Sequence, residues 1–429
     1  FTLCHLMDYT ERLPILYHEF NYYYCTIFHS VKAKLTIIIK FDRFYLYFSE
    51  NSINKGDSNM AVIQRPFRAD HVGSLLRPQR LKDARKDYQN EVIDAQALRD
   101  IEDEEIEHII EKQLEVGLHS ITDGEFRRSW WHFDFLENLD GVNGYTSERG
   151  LAFEGVETRN HNVKVESKVA FNPNHPHFEH FKFLYDKVNG RATAKVSIPS
   201  PNQLFHPNIL NEDIYPDIED YAHDVAQAYR ESLLKFYELG ARYIQLDDVY
   251  WANLTSGSQK TRGRDRTEAD KEAARQLAYR VVNEAVQDLP EDLLITTHIC
   301  RGNYQSTWAI SGGYEPVAPY LFKENLGGFF LEYDDDRSGD FEPLRFFPKE
   351  NSAAVLGLFT SKTGDLEDKS AILARIKEAQ QYVDLDQICL SPQCGFASTE
   401  EGNKLTEDEQ WKKLAYVVEI ANEVFGTAK

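Results

Sequence analysis

Five cysteines are spread over 429 residues, and Cys300 follows His298 by two positions at the end of the apolar run LLITTHIC. Such a run reads as a buried strand, and a strand alternates its side chains, so His298 and Cys300 face the same way. An imidazole and a thiolate on one face suit a metal of borderline softness. Two further runs stop on ligand types: GGFFLEYD carries Glu332, and QICLSPQCG ends at Cys394. His298, Cys300, Glu332 and Cys394 together offer two thiolates, one imidazole and one carboxylate, a set suited to tetrahedral zinc. Zinc fingers take their ligands from closely paired knuckles, whereas ligands gathered from separate strands place the ion where a substrate can reach it. Cys389, inside the same apolar run as Cys394, reads as a core residue.

Polar residues collect at other strand ends too: His71 and Ser74, Asp123 and Glu125, Asp247 and Asp248. Taken singly, an acid in such a place is more often a helix cap or a solvated loop residue. Their joint placement argues for function, because core filling does not explain apolar strands that each stop on a ligand or an acid.

The elements that must position these residues alternate along the chain. Eight short runs read as strands: RADHVGS, SITDGEF, AKVSIPSP, YIQLDDV, LLITTHIC, GGFFLEYD, AAVLGLFTS and QICLSPQCG. Between them lie amphipathic stretches such as IEDEEIEHIIEKQLEVG and IEDYAHDVAQAYRESLLKFYELG, which end at glycines able to cap a helix. Repeated strand and helix imply a parallel sheet, and eight such units predict a closed (β/α)8 TIM barrel forming a single domain. Chemistry in that fold sits at the C-terminal ends of the strands. The stretch 141–176 is an insertion whose fold the pattern does not reveal.

Residues 1–59 read differently. They are rich in Phe and Tyr, and their six basic residues balance six acidic ones, so the whole charge excess lies downstream. This stretch lacks the turn residues that would join its apolar runs into a strand pair. It reads as a non-native upstream translation or a disordered extension, with Met60 the expected start of a catalytic body spanning 60–429. With 48 Lys and Arg against 70 Asp and Glu, the formal charge of -22 disfavours nucleic acid or an anionic membrane as partner. No run is apolar and long enough to span a membrane. Few, unevenly placed cysteines point to a reducing, cytoplasmic setting.

Six motifs stand in order along the body: HVGSLLRP, DGEF, IQLDD, HIC, FFLEYDDDRSGD and SPQCG. Through them the stretch from Arg65 to Gly426 resembles the catalytic domain of cobalamin-independent methionine synthases, particularly short single-barrel relatives that lack the N-terminal half. The resemblance implies a methyltransferase that forms methionine from homocysteine, with His298, Cys300, Glu332 and Cys394 holding the zinc that binds the thiol. It also implies that Val72, Gly73 and Ser74 receive the amino-acid carboxylate, while Glu125 and Asp247 receive the ammonium group and count as the catalytic acids. The methyl donor would be a methyl-folate or a methyl-corrinoid.

The sequence departs from the long members in two places. Their strand-seven His, in an IHSP-like stretch tied to proton handling, is replaced here by LFTSKTG, with Thr360 near that place. No basic cluster for a polyglutamate tail is expected in so acidic a chain. Trp130, Trp131 and Trp251 follow strand-end motifs and are candidates for a wall on which a flat donor stacks. Two other classes compete: a zinc-dependent alkyltransferase or thiol-cleaving enzyme acting on another thiol, and a non-catalytic zinc-binding protein. Retention of Ser74, Glu125 and Asp247 disfavours both.

Overall fold

The computed structural model describes residues 65–255 and 267–429 with their side chains, and the backbone of strands Tyr23–Phe28, Lys34–Lys40, Arg43–Ser49, Lys260–Thr261 and Arg264–Asp265. The chain divides into two compact units, Phe1–Ala61 and Val62–Lys429. In the first, the three strands follow one another antiparallel, with Tyr23 opposite Ile39 and Lys40 opposite Arg43. Strands therefore form where the sequence shows no turn signal. Met60 and the start assigned to it lie outside the described residues.

The second unit is built on seven parallel strands: β1 (Ser120–Ile121), β2 (Thr193–Pro199), β3 (Tyr243–Asp247), β4 (Leu294–Ile299), β5 (Gly328–Glu332), β6 (Ala353–Phe359) and β7 (Ile388–Pro392). They lie side by side in chain order. The first expected run contributes a bridge rather than a full strand. Ala69 sits opposite Leu390, Asp70 N–H donates to Leu390 O (2.9 Å), and Leu390 N–H donates to Arg68 O (2.9 Å).

Side chains close the ring on the other side of that bridge. Asp70 accepts from Ser120 Oγ (2.7 Å), Lys195 Nζ (3.1 Å) and Tyr243 Oη (2.7 Å), all buried. Lys195 Nζ also donates to His71 O (2.6 Å), and His71 Nε2 meets Ser120 O (3.1 Å). Burial, and then the neighbouring Lys195 charge, pull the His71 pKa down to about 4, so this ring is a neutral part of the closure. Val72, Phe330, Ala353, Val355 and Cys389 form a small apolar plug of their own. Burial there pushes the Cys389 thiol up to about 12, as befits a core residue.

Helices cover the outside, and their starts follow capping chemistry. Asp94 accepts from Ala97 N–H ahead of Ala95–Glu115, while Thr267 and Thr406 each form a capping box. The insertion folds as an antiparallel hairpin of Asp140–Thr146 with His161–Ala170, carrying a smaller one of Ala152–Phe153 with Val156–Glu157 at its tip. Among the described residues, no helix is long and apolar enough to cross a membrane.

Removing the Asp70 carboxylate leaves Lys195 buried without its counter-ion, which costs about 3–5 kcal/mol for such pairs. Asp70→Ala should therefore lose that much stability in chemical denaturation. A loss of less than about 1 kcal/mol would be no more than an ordinary polar contact gives, and would show that the ring closes by other means.

Candidate active site

Strand register fixes the first half of the site. His298 is the penultimate residue of β4, Cys300 follows that strand, Glu332 ends β5, and Cys394 lies two residues beyond β7. One donor atom from each lies within 4.8 Å of the other three, and all four residues are buried. The two sulfurs are 3.6 Å apart as free thiols.

The donor set fits a metal ion on its own chemistry. Oε2 of Glu332 is buried with no hydrogen-bond partner, the buried His298 ring faces the Cys394 sulfur, and Glu332 Oε1 accepts from the Arg301 backbone N–H (2.9 Å). Unpaired buried polar atoms cost about 1–3 kcal/mol each, and a cation among the four residues removes that cost. The electrostatics agree. A hydrogen bond from Cys300, with the His298 charge, holds the Cys394 thiol well below the usual range, and the same contact holds Cys300 well above it. Burial raises Glu332 to about 7. Burial opposes a charge on His298, yet its pKa is raised because Cys394, Asp247 and Glu332 outweigh that penalty. The cluster is a concentration of negative potential.

The second half is a turn under strain. Gly73, at φ 137°, brings the Val72–Ser74 backbone so close that an added Cβ would sit 2.8 Å from Ser197 Oγ and 2.9 Å from Glu125 Oε1. Glu125 itself has φ 60°, a left-handed conformation that side chains other than glycine's seldom adopt and that costs about 1 kcal/mol or more. Asp123 Oδ1 holds the turn by accepting Glu125 N–H (2.8 Å). Arg77, buried, donates to the carbonyls of Glu125 (2.7 Å) and Arg128 (2.8 Å). Ser74 Oγ accepts Ala397 N–H (3.3 Å), which ties this loop to the one bearing Cys394.

Asp247 stands directly opposite His298 in the β3–β4 register and accepts from Gln245 Nε2 (2.7 Å). Burial raises its pKa to about 6, against the charges of His298 and Arg128. Its neighbour Asp248 turns away and caps the next segment, accepting from Tyr250 N–H (2.9 Å) and Asn202 Nδ2 (2.8 Å).

A cavity of about 510 Å³ joins the two halves, with Val72, Ser74, Glu125, Asp247, His298, Cys300 and Cys394 in its wall. Glu332 reaches the cluster from behind that wall. Trp130 and Trp131 face the cavity, as expected of a stacking wall, together with Phe153 from the insertion and Tyr304. Trp251 does not. It is fully buried and donates through Nε1 to Glu324 (2.9 Å), so packing and a hydrogen bond explain it. Thr360 does not reach the cavity either, and its backbone N–H is engaged by Glu367 (2.7 Å).

Sequence reasoning misses four residues in or behind the wall. Arg128 pairs with Glu125, and the spacing Glu125–Arg128 within DGEFRR is the signal that could reveal it. His132 and His206 line the cavity from loops whose sequence carries no motif. Asn303 pins the Cys394 loop by donating to Gly395 O (2.6 Å).

Residues 67–423 match the family described as "Cobalamin-independent synthase, Catalytic domain". The Bacillus subtilis (strain 168) protein described as uncharacterized protein YxjH is 51% identical over 364 residues, covering 84% of this chain and 95% of that protein. A Listeria monocytogenes crystal structure, of a candidate vitamin-B12 independent methionine synthase, is 45% identical with a TM-score of 0.68, covering 84% of this chain and 98% of that one. A B12-independent methionine synthase from Shewanella sp. W3-18-1, solved in complex with selenomethionine, shares the fold at 18% identity and a TM-score of 0.63, over 84% of this chain and 98% of that one. A match over 67–423, with the barrel and the site it holds, makes this chain a member of the cobalamin-independent synthase catalytic-domain family.

Proposed function

We propose that the chain is a zinc-dependent methyltransferase that places a methyl group on the thiol of homocysteine to form methionine. One observation carries the reading: a single cavity contains both a two-thiolate metal set and, against it, a pair of acids beside a close-approach backbone loop. A thiol of this kind has a pKa near that of free Cys, about 8.5, and is a poor nucleophile while protonated. A zinc ion held by His298, Cys300, Glu332 and Cys394 would supply the Lewis acidity that keeps the substrate sulfur deprotonated.

The protein's own groups do the positioning. Asp247 and Glu125 accept the ammonium in charge-assisted hydrogen bonds, and the Ser74 hydroxyl with the neighbouring amides meets the carboxylate. Gly73 lets that backbone approach. The aromatic side of the cavity, from Trp130, Trp131, Phe153 and Tyr304, offers stacking faces to a flat donor and keeps water away. Methyl-folate suits such a wall, and a methyl-corrinoid is the other candidate donor. The Shewanella protein's complex with selenomethionine supports an amino acid bearing a methylated chalcogen as the ligand of this fold. Buried, unpaired Cys300, Cys389 and Cys394 are in keeping with a cytoplasmic, reducing setting.

The protein should copurify with about one zinc per chain, and Cys394→Ser should lose tight metal and the stability that the metal adds while still folding, because the ligand stands at the rim of the barrel. Stoichiometric zinc in that variant, measured by elemental analysis, would remove Cys394 from the set. Asp247→Asn should weaken homocysteine binding by about 1.5–3 kcal/mol, as expected for a hydrogen bond to a charged group, with zinc content unchanged. Equal affinity in a titration would show that the ammonium is held elsewhere. The reaction itself is tested by methionine formation from homocysteine with methyl-folate mono- and polyglutamates and methylcobalamin offered in turn; no methionine from any of them contradicts the proposed activity.

A further inference from the structure

Glu125, one of the two acids expected to receive an ammonium, already has a cation beside it. Arg128 is buried in the cavity wall, and its guanidinium is ion-paired with Glu125 Oε2. Its Nη1 donates to Trp131 O (3.1 Å), and its Nε has no partner. The other oxygen of that carboxylate, Oε1, lies against the Gly73 backbone, where even a Cβ would come within 2.9 Å. An incoming cation therefore meets Glu125 on the side that Arg128 holds. Asp123 and Arg77 hold the Glu125 backbone at φ 60°, so the turn itself stays in place.

We propose that Arg128 makes the site selective for a zwitterion: the substrate ammonium takes its place at Glu125, and the released guanidinium joins the Ser74 loop in receiving the substrate carboxylate. This rests on the reading of the cavity as an amino-acid site. The charge count follows from the geometry. An amine without a carboxylate brings a second cation beside an Arg128 that has lost its partner. An acid without an amine finds Arg128 still engaged by Glu125. Both halves are penalised and the whole is not, which is discrimination by an unpaired charge as much as by contact. The planar fork of the guanidinium, with its several donors, suits either carboxylate.

Three thioethers separate the terms by calorimetry, with no turnover required: L-methionine, its decarboxylated analogue 3-(methylthio)propylamine, and its deaminated analogue 4-(methylthio)butanoate. Arg128→Met keeps the length and removes the charge. It should bind the amine about tenfold more tightly than wild type and the acid about tenfold more weakly, the scale of one charge-assisted contact. Glu125→Gln should do the reverse, losing the amine and gaining the acid. An amine affinity that is unchanged or lower in Arg128→Met overturns the proposal. Should that variant fail to fold, Glu125→Gln decides alone: failure to gain acid affinity overturns it. Wild type that binds L-methionine but shows neither sign change sinks only the role of Arg128. Wild type that binds none of the three sinks this proposal and the amino-acid reading together.

Discussion

The site depends on how the ring of strands is closed. A barrel needs its first and last strands in contact, and here the first run supplies one backbone bridge, Ala69 opposite Leu390. That bridge determines which loops meet: the Val72–Ser74 loop leaves one partner, and the Cys394–Gly395 loop leaves the other. Phe396 N–H donates to Ser74 O (2.9 Å), and a Cβ on Gly395 would collide with Ser74 Oγ at 1.9 Å. The proposed amino-acid and metal sites are thus adjacent because the barrel closes there. On the other side of the bridge the closure is ionic, through Asp70, Lys195, Ser120 and Tyr243. A buried ion pair is a poor source of net stability but is costly to break, so its weight lies in holding one register.

Charge then organises what closure brings together. Asp247, Glu125 and two cysteines crowd one cavity, with Glu332 behind its wall, and the neighbouring cations are His298 and Arg128, with Lys362 acting on Glu332. Raised carboxylate pKa values are the sign of that crowding and of burial. A metal cation on one side and a substrate ammonium on the other would neutralise the excess from both ends. The overall charge of -22 extends the same preference to the whole molecule and disfavours anionic macromolecules.

Much of this is legible in the sequence because each barrel strand is short and apolar, and several end abruptly on chemistry. The eight runs mark the seven barrel strands and the closing bridge, and His298 and Cys300 share a face through the two-residue period alone. What the sequence hides is whatever depends on side chains reaching across elements. Arg128 looks like one of many surface arginines until its turn is folded, and Trp251 follows a motif yet points into the core. The insertion is opaque because its inner turn, Glu154–Gly155, is a weak hairpin signal beside Asn-Gly or Asp-Gly. Four cations in SQKTRGRDR (Lys260, Arg262, Arg264 and Arg266) contradict the expected absence of a basic cluster; their side chains lie outside the described residues.

In the function proposed for this site, His298, Cys300, Glu332 and Cys394 hold a zinc ion that accepts the substrate's sulfur. Zinc-edge X-ray absorption of the purified protein, with and without homocysteine, tests it most directly. The expected result is a mixed shell with two sulfurs that gains one more sulfur when homocysteine is added. A shell without two protein sulfurs, or one that homocysteine leaves unchanged, would contradict it.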